Sequence, residues 1–150
     1  MNNGWIGVDL DGTLFHYEKW VGWNVFGEPI QPMVDRVRQW LNEGKEVRIV
    51  TARVGLPTHV SGGRNYYRVS AEKSCRVTKM KFSDSMMVAA IQKHLVKHDL
   101  PALPVQCYKD VNMIEFWDDR AVQVVPNTGR TLAEEHEARY NAQRGKVFEG

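Results

Sequence analysis

Apolar positions fall into distinct periods along the chain. Gly4-Trp5-Ile6-Gly7-Val8-Asp9-Leu10 is a short apolar and small-residue run that meets the turn signal Asp11-Gly12-Thr13. It predicts a buried strand leading into a loop, with carboxylates at its C-terminal end. From Pro32 the apolar residues Met33, Val34, Val37, Trp40 and Leu41 recur at helical spacing, with proline at the start and Gly44 where a helix should stop. Lys45-Glu46-Val47-Arg48-Ile49-Val50-Thr51 predicts a second strand. Strand, helix, strand in this length is the parallel crossover unit, so the expected fold class is α/β.

Residues 54–83 hold no sustained period and contain Gly62-Gly63, which predicts an insertion or flap of functional interest. Ser83 or Asp84 can cap a helix through Val88, Ile91 and Leu95 that ends before Pro101, and Pro104-Val105-Gln106-Cys107 predicts a third strand. Met113-Ile114-Glu115-Phe116-Trp117 runs into Asp118-Asp119, again a strand ending in carboxylates, and Ala121–Val125 predicts a further strand before the Pro126–Gly129 turn. Thr131-Leu132-Ala133-Glu134 is a capping box opening a polar last helix within residues 131–150. No repeat, low-complexity tract or linker divides the chain, so one domain is expected over residues 1–150.

Composition narrows the class. With 43% apolar and 25% charged residues among 150, the chain has the make-up of an ordinary globular domain. A net charge of +2 is too small for a general nucleic-acid or membrane coat, but Arg64 to Lys81 holds six basic residues and one acid. Any basic surface is therefore concentrated in the insertion. Cys75 and Cys107 form no C-x-x-C pair and no dense disulfide framework, which points to a reducing compartment. The start lacks a secretory pattern and no stretch of about 18 apolar residues exists, so a cytoplasmic protein with no membrane span is expected.

In an open parallel sheet, ligands sit outside the carboxyl ends of the strands, near the point where strand order reverses. The predicted strands place Asp9 and Asp11, Thr51 and Arg53, and Asp118 and Asp119 at such ends, with Lys109 just after the third strand. If strand geometry persists, Asp9 and Asp11 point the same way and their like charges invite a cation, while Gly12 lets the backbone turn sharply. Carboxylate oxygens suit Mg²⁺, and zinc-type Cys/His clusters are absent from the sequence.

At these residues the chain resembles a family. Val8-Asp9-Leu10-Asp11-Gly12-Thr13-Leu14 resembles the first motif of the haloacid dehalogenase-like phosphohydrolases, Ile49-Val50-Thr51 the second, Lys109 the third-motif lysine, and Phe116-Trp117-Asp118-Asp119 the fourth. The resemblance implies a Rossmann-like doubly wound parallel sheet and an Mg²⁺-dependent phosphatase. Asp9 would attack phosphorus to form an aspartyl-phosphate, and Asp11 would act as general acid and base with a pKa above that of Asp9. Mg²⁺ would be held by Asp9, the Asp11 carbonyl, Asp118 and Asp119. Thr51 would hydrogen-bond a phosphoryl oxygen and Lys109 would neutralise its charge. Gly12, Thr13, Arg53 and Arg68 are the substrate-binding candidates, Arg53 as a phosphate fork.

Residues 15–31 are too few for a full cap domain, which predicts a minimal cap and an open site. The basic insertion favours an anion larger than one phosphate. Thr51-Ala52-Arg53, Tyr66-Tyr67-Arg68, Gln106-Cys107 and Asp118-Asp119-Arg120 also resemble the phosphatase domain of polynucleotide kinase/phosphatase, without the kinase's phosphate-binding loop. A nucleotide or nucleic-acid end phosphate is therefore the first expectation for substrate. A small phosphorylated metabolite is the second, and a non-catalytic phosphate- or metal-binding module is the rival. The aromatic run Phe15, His16, Tyr17, Trp20, Trp23 and Phe26 can stack on a base but more commonly covers a core, and no histidine is assigned to catalysis.

Overall fold

The computed structural model describes residues 4–55, 60–61, 64–65 and 84–148, with backbone alone at 60–61, 64–65 and 146–148. Two compact units divide the chain, Met1–Asp119 and Arg120–Gly150.

In the first unit the strands are β1 (Trp5–Val8), β2 (Glu46–Val50), β5 (Val105–Gln106) and β6 (Met113–Trp117), and the helices are α1 (Gln31–Asn42) and α2 (Asp84–Lys97). The four strands form an all-parallel sheet in the order β5-β2-β1-β6. The chain thus adds strands outward from β1 in one direction and then returns to its other side. The reversal falls between β1 and β6, the place where a Rossmann-like sheet opens a crevice. A separate two-residue ladder pairs β3 (Val60–Ser61) with β4 (Arg64–Asn65). The remainder of the expected 54–83 insertion, Arg68 included, lies outside the described residues.

Strand alternation sorts side chains between the two sheet faces. Ile6 and Val8 of β1 and Val47 and Ile49 of β2 join one apolar cluster with Val34, Val37 and Trp40 of α1 and Met87, Ile91 and Leu95 of α2. Both helices of this unit therefore cover the same face. The other face carries Trp5 and Arg48, crossed by the segment from Cys107 to Asn112 that joins β5 to β6. Trp5 is 1% exposed, its indole N–H donates to Asp110 Oδ1 at 2.9 Å, and the Arg48 guanidinium lies 4.5 Å above its ring. Hence the strand order reverses as in a doubly wound sheet, while among the described residues of this unit the second face is crossed by an extended connection and both helices lie on the first.

α1 begins with proline in its first turn and terminates at Gly44, where φ is 78°. In the second unit α3 (Leu132–Phe148) opens with the expected reciprocal cap: Thr131 N–H donates to Glu134 Oε2 at 2.7 Å, and Glu134 N–H to Thr131 Oγ1 at 3.2 Å. The strand expected over Ala121–Val125 does not form. Val124 makes an isolated bridge with Thr131, and Val125 N–H donates to Arg130 O at 2.8 Å. The valines are used in a tight turn around Pro126–Gly129, with Asn127 and Gly129 at positive φ, and such a turn leaves too short a run to make a ladder.

Candidate functional site

The β1–β6 register pairs Val8 with Trp117, so Asp9 and Asp118 follow side by side at the carboxyl ends of adjacent strands. Asp9 N–H extends the ladder, donating to Trp117 O at 2.9 Å. Carboxylate oxygens of Asp9, Asp118 and Asp119 all lie within 4.8 Å of one another. The Thr13 hydroxyl stands between them, 3.3 Å from Asp9 Oδ2 and 3.4 Å from Asp119 Oδ1, and accepts the Asp119 N–H at 3.0 Å.

The electrostatics of this group are unbalanced. Burial, then the charge of Asp118, then a hydrogen bond and charge from Asp119 raise the Asp9 carboxyl from 3.8 to about 7, against a lowering hydrogen bond from the Leu10 backbone. Three hard oxygen donors, one of them held well above its ordinary pKa by burial and by the charge of its neighbours, form a set that a divalent cation would relieve. Oxygens bound to one ion at about 2.1–2.6 Å lie about 3–5 Å from one another, and the grouping of the three carboxylates falls within that reach. The chemistry of these donors therefore suits a hard divalent metal.

Asp11 belongs to a different arrangement. Strand geometry does not persist past Asp9: Leu10 O accepts from both Leu14 N–H and Phe15 N–H, and the carboxylate group that gathers Asp9, Asp118 and Asp119 does not include Asp11. Gly12 sits in the turn at φ 88°, and a Cβ there would stand 2.6 Å from Asp119 Oδ2. Asp11 is gripped by Arg53, whose Nε donates to Oδ2 at 2.6 Å and whose Nη2 donates to Oδ1 at 2.8 Å. The cation expected between Asp9 and Asp11 is thus replaced at Asp11 by a guanidinium, and the raised pKa falls on Asp9.

Arg53 itself is 7% exposed. Its remaining donors reach Trp23 O at 3.2 Å and Val25 O at 3.0 Å, and its guanidinium lies 4.9 Å from the Trp20 ring and 4.5 Å from the Phe26 ring. The fork expected to hold phosphate is occupied by Asp11 and by the loop after Phe15. This arrangement was not visible in the sequence, because it depends on the turn after Asp9 and on where the loop carbonyls of Trp23 and Val25 come to lie. The aromatic run carried the available signal: Phe15 and Trp23 are core residues, while Trp20 and Phe26 flank the guanidinium.

Thr51 stands at the end of β2, 3% exposed, and its Oγ1 accepts the Arg53 N–H at 3.2 Å. Its N–H donates to Gln106 O at 2.9 Å, extending the β2–β5 ladder. Lys109 is exposed in the connection ahead of β6, where it lines a groove with Asp110, Val111 and Met113–Phe116. The charges acting on Asp9 come from Asp118 and Asp119. Family models, curated proteins and solved structures compared with this chain give no match.

Proposed function

We propose that this chain is a phosphatase of the haloacid dehalogenase type, using Mg²⁺ and an aspartyl-phosphate intermediate. The observation that carries the proposal is the grouping of Asp9, Asp118 and Asp119 at the β1–β6 reversal, with Asp11 fixed separately two residues along. Asp9, Asp118 and Asp119 would hold the metal, joined by the Asp11 carbonyl that the family resemblance supplies. When bound, the ion would offset the repulsion between an anionic nucleophile and an anionic phosphate.

An Asp9 carboxylate oxygen supplies the electron pair for the new O–P bond. The P–O bond to the leaving group breaks with its pair going to the leaving oxygen, which takes the proton of Asp11. Water then attacks phosphorus and returns a proton to Asp11, and Asp9 departs as carboxylate, so the protein ends as it began. General acid–base help of this kind is worth about 10²–10⁴ in rate, or about 3–5 kcal/mol. The Thr51 hydroxyl oxygen already accepts the Arg53 N–H, which leaves its own proton to donate to a phosphoryl oxygen. Lys109 takes no step in this scheme, since it stands in the connection beside Asp110.

For substrate class, a phosphate on a nucleotide or nucleic-acid end is preferred, on the basic surplus between Arg64 and Lys81 and the resemblance in the sequence. The test is phosphate release, with Mg²⁺ and with chelator. The panel holds 3′- and 5′-phosphorylated oligonucleotides, mononucleotides, sugar phosphates and an aryl phosphate, with Asp9→Asn as the blank. Metal-dependent turnover led by the oligonucleotides or mononucleotides is expected. Turnover confined to sugar phosphates would replace the substrate class, and binding of Mg²⁺ without turnover of any phosphate would replace the enzyme by a binding module.

A further inference from the structure

We infer that Arg53 is the positioning residue of the Asp11 acid/base and that the same guanidinium latches the loop between His16 and Glu28, so that acid placement and loop closure are one event. The inference rests on the phosphatase proposal for what Asp11 does, and on the structure for what Arg53 touches.

Arg53 is poorly placed to be a substrate ligand. Its side chain is 5% exposed, and its Nε, Nη1 and Nη2 all donate inside the protein. A planar fork fixes a carboxylate in two directions at once, which a lysine ammonium on a flexible stem does not. The fork takes two of the roughly four acceptor positions on the Asp11 carboxyl and leaves another for the proton that it would donate to a substrate oxygen. The Trp20 and Phe26 rings bracket the guanidinium and restrict its own freedom.

The second half of the inference follows from the other two acceptors. Trp23 O and Val25 O belong to the loop that leaves the site at Phe15 and returns at Pro29. That loop is closed at its base by His16 N–H to Glu28 O at 2.8 Å and Ile30 N–H to Leu14 O at 2.9 Å. Near its tip, Trp23 packs in the core and two carbonyls accept from the guanidinium just past β2. If the loop lifts, Arg53 loses two acceptors and both stacking partners, and its hold on Asp11 loosens with them.

The experiment compares Arg53→Lys, Arg53→Gln and Asp11→Asn in the full-length protein, each checked for folding by circular dichroism. Two substrates are used: an alkyl phosphate, whose leaving oxygen needs a proton, and a dinitrophenyl phosphate, whose leaving oxygen does not. Loss of acid positioning predicts a kcat decrease of about tenfold or more on the alkyl ester with little change in KM, and a much smaller decrease on the dinitrophenyl ester. Arg53→Lys added to Asp11→Asn should cost little more. Trypsin cleavage after the exposed Lys19 supplies a readout without turnover: it should speed up in both Arg53 variants and stay slow in Asp11→Asn. Equal losses on the two esters in folded variants, a KM effect in place of a kcat effect, or unchanged cleavage at Lys19 would overturn the inference while leaving the phosphatase proposal intact. Absence of wild-type turnover on both esters sinks the phosphatase proposal and the acid-positioning role together.

Discussion

Gly12 has room for neither a side chain nor an ordinary backbone angle. Its φ of 88° lies in the left-handed region, and a Cβ would meet both Oδ2 and Cγ of Asp119, at 2.6 and 2.9 Å. Gly12→Ala should therefore lower stability by about 1–3 kcal/mol in a urea titration and weaken Mg²⁺ binding by calorimetry, because Asp119 must move. Unchanged values in both measurements would refute the claim that this turn sets the position of Asp119. Asp9 yields a prediction of opposite sign. Its folded pKa of about 7 lies above its ordinary 3.8, so the folded chain holds a proton that the unfolded chain gives up. Without metal, stability then falls as pH rises from about 4 to about 7 and levels off above that. Asp9→Asn and Asp118→Asn, which remove the repulsion, should melt higher than wild type at pH 8 in chelator, and the order should narrow or reverse when Mg²⁺ is added. A wild type that melts highest in chelator at pH 8 would mean that the carboxylates do not repel as the structure indicates.

At the scale of elements, the loop from His16 to Glu28 is supported from beneath by α2. The His94 ring packs 4.5 Å from Phe15, 4.9 Å from Phe26 and 4.6 Å from His98, and its Nε2 is 3.1 Å from Gly27 O. Burial lowers the His94 pKa below 6.5, helped by the charges of His98 and Lys97 and opposed by the Gly27 carbonyl and Glu28. A depressed histidine pKa means that folding favours the neutral ring, so its contribution is present above about pH 6.5 and is lost as pH falls through the lower folded value. Hydrogen exchange at the His16 and Ile30 amides should accelerate, relative to the β1 amides, as pH falls below about 6, and His94→Phe should remove that extra acceleration. Uniform behaviour across loop and sheet would separate His94 from the loop. The elements themselves were legible where one period or one cap decided them. α1 followed from Met33, Val34, Val37 and Trp40, and α3 from the Thr131–Glu134 box. Ala121–Val125 misled because alternation specifies a strand only when a neighbouring strand is there to pair with it, and here a local turn took the hydrogen bonds.

For the molecule as a whole, the sequence carried the α/β class and the acids at the strand ends, because β1 and β6 each end in aspartates that any parallel sheet brings to one edge. It did not carry the path between β5 and β6. Six residues, Cys107 to Asn112, join strands separated by three sheet spacings. Those spacings amount to about 14 Å, and six extended residues reach about 20 Å, so the chain must cross nearly straight and has no length for a helix. This is why Lys109, chosen for its order among the motifs, is drawn along the crossing beside Asp110. It also brings Asp110 to the Trp5 indole on that face, within a polar network of Arg48, Glu46 and Gln106. Trp5 is 1% exposed and among the largest fully buried side chains, so truncating it leaves a large cavity on this face. Trp5→Ala should therefore cost about 3–5 kcal/mol in urea, a large part of the 5–15 kcal/mol available to a typical domain. The carboxylate grouping at the opposite end of β1 should bind Mg²⁺ with unchanged affinity in the fraction that remains folded. A cost below about 1 kcal/mol would show that the 107–112 crossing does not hold this face of the sheet.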